Sequence, residues 1–138
     1  MNTSARRMRR LAGAGGIGFM ALTLLAFPAT TLARGGGGDA VQRAGDCTGN
    51  STSKIKVKHR DGGSELEFEV DSNVNGQTWN VSLKRNGTTF WSGQRTTHAP
   101  SGSFSIERST TNPAGTDTFK GRARNPNTGE VCVATVSI

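Results

Sequence analysis

From residue 54 onward, polar and apolar residues alternate in short runs separated by glycine- and asparagine-rich turns, and no helical stripe interrupts them. A period of two places every second side chain on one face of a strand, so this pattern demands β-structure with one face buried. The clearest run is KIKVKHRDGGSELEFEV, residues 54–70. Here Lys54, Lys56, Lys58 and Arg60 alternate with Ile55, Val57 and His59. After the turn, Glu65, Glu67, Glu69 and Asp71 alternate with Leu66, Phe68 and Val70. Taking Asp61-Gly62-Gly63-Ser64 as the turn, Arg60 faces Glu65, Lys58 faces Glu67, Lys56 faces Glu69 and Lys54 faces Asp71. The same register sets Ile55 against Val70, Val57 against Phe68 and His59 against Leu66. A slip by one residue reverses the buried face. The strip has no net charge and no aromatic on its polar face. It therefore lacks the free cations and stacking platforms that nucleic acid needs, and no nucleic-acid partner is expected.

Six turns separate seven expected strands, over residues 54–60, 65–71, 78–84, 88–92, 103–108, 116–124 and 130–137. Asn86-Gly87 is a strong two-residue hairpin signal. It pairs Leu83 with Phe90 and Ser82 with Trp91, placing Phe90 inside with Trp79, Val81 and Leu83 and turning Trp91 outward. Seven short strands in some 90 residues predict an all-β, antiparallel sandwich.

The first 33 residues stand apart. Arg6, Arg7, Arg9 and Arg10 precede an apolar run over residues 11–27, then Pro28 and the small-residue site Thr31-Leu32-Ala33. This is the order of parts in a secretory signal peptide, with cleavage before Arg34, and no membrane span is expected after cleavage. The full chain has 17 basic and 10 acidic residues, a formal +7. Cleavage leaves 13 basic against 10 acidic, a formal +3, on 105 residues. That length suits one small domain. Residues 34–46, with GGGG at 35–38, read as a flexible tail, leaving 47–138 as the domain. The two cysteines, Cys47 and Cys132, both lie in the exported part and are expected to form one disulfide. With His59 and His98 they show no metal-ligand spacing, so neither metal nor cofactor is expected.

Two resemblances follow from these residues. Trp79 on the third strand, together with Phe119, Ala123, Asn125 and Gly129 in DTFKGRARNPNTGEVCVATVSI, resembles the core tryptophan and last hairpin of immunoglobulin-like domains. The likeness implies a seven-stranded immunoglobulin-like sandwich. It departs where Phe119 lacks a tyrosine hydroxyl and Gly121 stands in the place of the usual second cysteine, so Cys47–Cys132 is a different bridge. Residues 47–138 also resemble small secreted single-domain proteins of actinobacteria, through the Trp strand, the NG turn, SGSF and TGE-x-C.

Catalytic chemistry finds little footing. Glu65, Glu67 and Glu69 are spaced about 7 Å apart along a strand, but each has a cation beside it, which opposes the raised pKa of a general acid. There is no GxSxG elbow, His59 fills an end of the buried face, and His98 belongs to a loop. The expected function is that of a secreted, extracellular, non-enzymatic interaction module for a protein or polysaccharide. Trp91, with Gln94 and Arg95 beside it, is the candidate ligand site. A carbohydrate-binding module that stacks sugar on Trp91 is one alternative, and an inhibitor of a secreted hydrolase presenting residues 96–101 is another.

Overall fold

The computed structural model describes residues 40–60, 62–111 and 115–138. The expected signal peptide and the tail as far as residue 39 lie outside the described residues. The domain is all-β: β1 (Val41–Cys47), β2 (Thr52–Arg60), β3 (Gly63–Asp71), β4 (Thr78–Arg85), β5 (Thr88–Thr96), β6 (Ser103–Thr111), β7 (Thr118–Arg124) and β8 (Val131–Ser137). All seven expected strands are present, and β1 makes an eighth. Residues 41–46, assigned to the tail, are instead most of β1.

The strands form one antiparallel sheet in the order β5-β4-β7-β8-β1-β2-β3-β6, not two separate sheets. β1 is the hinge between its halves. Val41 to Gly45 pair with β2, whereas Asp46 and Cys47 pair with β8. At the crossing only a glycine fits: a Cβ on Gly45 would sit 2.4 Å from the Val133 carbonyl oxygen and 2.6 Å from Ala134 Cβ. The sheet curls until its edge strands approach without pairing: the loop that joins them holds a His98–Ser103 bridge, and Arg108 of β6 reaches Trp91 of β5. The enclosed core comprises Ile55, Val57, Leu66, Phe68, Val70, Trp79, Leu83 and Phe119, together with smaller residues of β7 and β8. Trp79 and Phe104 meet across it with ring centroids 6.5 Å apart. Gly121 is set by this packing, because a Cβ there would lie 2.4 Å from the Phe68 ring.

The charged hairpin differs from expectation by two residues. Lys54 faces Glu69, Lys56 faces Glu67, Lys58 faces Glu65 and Arg60 faces Gly63. Ile55 faces Phe68, Val57 faces Leu66 and His59 faces Ser64. The cause is the turn. β2 ends at Arg60 and β3 begins at Gly63, so two residues rather than four separate the strands, and Gly62 has φ 73°, the positive φ that short hairpin connections favour. A two-residue slip leaves every face unchanged, so the ladder survives with new partners. Lys54–Glu69 closes at 3.0 Å, Lys56–Glu67 at 3.5 Å, and Glu65 takes both Lys58 and Arg60. Asp71 faces Thr52 and accepts a hydrogen bond from the Asn73 N–H. His59, expected to fill the buried face, keeps its inward phase but lies exposed at the sheet end.

Candidate functional site

The Asn86-Gly87 turn pairs Arg85 with Thr88 and Lys84 with Thr89, as a two-residue hairpin should. The register then shifts between Leu83 and Lys84, so Leu83 faces Trp91 and Phe90 becomes the extra residue. Such a bulge reverses the facing of every residue beyond it. Trp91, Gly93 and Arg95 therefore share the inward phase of Leu83, Val81 and Trp79, and Ser92 and Gln94 point outward. The outward Trp91 of the sequence reading is corrected accordingly: it is half-buried and packs against the core, as does Phe90.

The indole lies along β5. Its six-membered ring runs over Gly93, where a Cβ would come within 2.9 Å of it. The Arg95 guanidinium stands over the ring at 4.8 Å from the centroid, and Arg108 of β6 stands over it at 4.9 Å. Arg108 reaches the ring because it faces Leu66 on the inner side of the sheet. Each guanidinium donates one hydrogen bond to the carbonyl of its preceding residue, Gln94 or Glu107, both at 2.7 Å. Among the described residues neither has a carboxylate partner. Of the three residues singled out from sequence, the structure unites Trp91 and Arg95. Gln94 faces away and donates from Nε2 to Asn80 Oδ1 at 3.0 Å. Arg108 was missed, since nothing near it in the sequence points to Trp91 and only the curl of the sheet joins them.

A second polar cluster closes the far end of the same seam. Asp117 is buried and bound by Arg85 Nη2 at 2.6 Å and Asn86 Nδ2 at 2.7 Å. Arg85 also donates to Thr110 Oγ1 at 3.0 Å and to the Thr111 carbonyl. The Arg85 hydrogen bond holds the Asp117 carboxyl below its ordinary value, assisted by Asn86 and opposed by burial. This cluster ties β4 to β6.

The loop of residues 97–102 is clamped at its base. Thr97 Oγ1 accepts from the Gln77 N–H at 2.9 Å, and the Ser72 N–H donates to the Gly102 carbonyl at 3.0 Å. Only His98, Ala99, Pro100 and Ser101 are exposed at its tip. A cleft of about 410 Å³ lies at the loop end of the sheet, lined by Thr48, Asn50, Ser51, Val74, Gln77 and Glu130 among others. Its carboxylate is already engaged, because Glu130 Oε1 accepts from the Ser51 N–H at 2.9 Å. The nearby Cys47 and Cys132 are bonded to each other and offer no thiolate to a metal.

No protein-family model matches the chain, and no curated protein matches it. Among solved structures, the crystal structure of chicken MD-1 complexed with lipid IVa is similar at a TM-score of 0.28 and 13% identity. That match covers 72% of this chain and 97% of the other.

Proposed function

We propose that the protein is a secreted, non-enzymatic binding module that captures an acidic, extended segment of an extracellular protein at the seam between β5 and β6. The observation that carries this reading is the Trp91 indole beneath two guanidinium groups that have no carboxylate partner among the described residues. An arginine fork is suited to a carboxylate in two-point contact. β5 and β6 end the strand order, so each has one edge without a strand partner. Such edges accept an added strand through main-chain hydrogen bonds, with side-chain pockets supplying specificity. An incoming Glu or Asp side chain would meet Arg95 and Arg108 together.

Two rival readings have less support. Sugar stacking needs an open aromatic face, whereas Arg95, Arg108 and Gly93 already crowd this ring. Catalysis by the acidic ladder needs a carboxyl with a raised pKa. The Lys58 hydrogen bond, with Arg60 behind it, instead holds Glu65 below its ordinary value. Export rests on the leader pattern of residues 1–33 and on a disulfide of the kind that persists in oxidising compartments.

Tryptophan emission tests the site, since Trp79 is fully buried and serves as the constant background. Titration with a poly-glutamate peptide should change the emission, and Trp91→Phe should abolish the change. Poly-glutamine should be silent. Arg95→Gln with Arg108→Gln should weaken binding by about tenfold or more, the loss of roughly 1.4 kcal/mol. Undiminished binding by that double variant would sink the proposal.

A further inference from the structure

β7 turns Phe119, Gly121 and Ala123 into the core and leaves Lys120, Arg122 and Arg124 exposed on the opposite face. Strand geometry spaces these three cations about 7 Å apart in one row. Lys84 of β4 stands directly across from Lys120, widening the row. The remaining neighbours are uncharged: Ser82 and Asn80 on one side, Val131, Val133 and Thr135 on the other. Glu130, whose carbonyl accepts from the Asn125 N–H beside Arg124, turns its carboxylate to the Ser51 N–H. Along the outward face of the register the nearest acid is Asp46 on β1, which faces Val133 and so lies two strands, about 10 Å, from Arg122. Among the described residues none of the four cations forms an ion pair.

This arrangement contrasts with β2, where Lys54, Lys56 and Lys58 are each bonded to a glutamate. Like charges directly across a strand pair destabilise a sheet, and among the described residues no acid pairs with Lys84 or Lys120 to offset them. We infer that this face docks a linear anionic polysaccharide, an extended sugar chain bearing sulfate, phosphate or uronate groups. A polyanion laid along β7 meets three or four cations at once and releases counterions from each. Ser82, Asn80 and Thr135 flank the row with hydroxyl and amide groups suited to sugar hydroxyls. A single-stranded nucleic acid would also need aromatic platforms for its bases, and this face has none. The surface lies on the opposite side of the sheet from Trp91, so it is separate from the β5–β6 seam.

The test uses the whole exported chain, with dextran sulfate as the probe and unsulfated dextran and oligothymidylate as comparators. The protein should bind dextran sulfate, ignore dextran, and bind oligothymidylate more weakly. At about 0.1 M salt, Lys120→Gln/Arg122→Gln/Arg124→Gln should lower affinity by about a hundredfold and reduce the slope of log K against log salt by about two. Lys54→Gln/Lys56→Gln/Lys58→Gln, with the same loss of three charges from the balanced face, should change affinity less than about twofold. Amide hydrogen exchange on the unmodified protein should show protection by dextran sulfate confined to β4, β7 and β8. Equal losses in both variant sets, tighter binding to oligothymidylate, protection mapping to β5 and β6, or no binding by the unmodified protein would each overturn the proposal.

Discussion

At Asp117 a carboxylate is taken almost wholly out of water, 3% exposed, and kept charged by Arg85 and Asn86. Burial alone would favour the neutral acid, but the Arg85 hydrogen bond outweighs it and the carboxyl titrates below its ordinary value. A depressed folded pKa stabilises the native state above the unfolded aspartate pKa of about 3.9. That contribution is lost as pH falls through the lower folded value. Urea midpoints measured from neutral pH into acid should therefore decline below about pH 4. Asp117→Asn should be less stable at neutral pH and should decline less steeply. Glu65, lowered by Lys58 and Arg60, titrates in the same direction, so Glu65→Gln identifies its share of the remaining slope. Gly121 shows the other way one position can constrain this fold: it is small because Phe68 lies on it.

Among the elements, the β2–β3 hairpin separates what alternation specifies from what it leaves open. Period-two patterning identifies the strand and its buried face, but registers differing by two residues satisfy it equally. The turn breaks the tie, through Gly62 at φ 73°. A Cβ at Gly62 would meet nothing within 4 Å, so substitution there tests backbone conformation alone. Gly62→Val should cost about 1–2 kcal/mol and Gly62→Asn much less, as read from denaturant midpoints. If the two variants match, Gly62 does not set the register. Trp91 and Arg95 were legible as candidates, but their orientation was not, because a bulge at Leu83/Lys84 leaves no mark in the alternation of residues 88–92. β1 was illegible because VQRAGDC has no alternating apolar face, and backbone pairing to β2 and β8 holds it. The cations of β7 were in plain view at every second position. What was hidden was their neighbourhood, since only the β4–β7–β8 register shows that no acid faces them.

For the whole domain, the balance is between a small core and the closure of a long chain. A domain near 100 residues leaves little surplus once chain entropy is opposed, and this one has an open seam between β5 and β6. The Cys47–Cys132 bond spans 85 residues and sits where β1 passes from β2 to β8, with the two cysteines directly paired in the register. It therefore fastens the two halves of the sheet at their junction, on the side away from the seam. In the chain-entropy account a loop of that size restricts the unfolded chain by about 4–5 kcal/mol, a large part of the 5–15 kcal/mol typical of a whole domain. Cys47→Ser/Cys132→Ser should accordingly lose about 4 kcal/mol in urea denaturation. Its β1–β8 amides should exchange faster than those of β2 and β3, because the lost constraint acts first where β1 has only two paired positions with β8. The unmodified protein, treated with a thiol-blocking reagent without reductant, should keep its intact mass. Labelling at either cysteine, or a double variant as stable as the parent, would mean that the curl of the sheet alone holds the halves together.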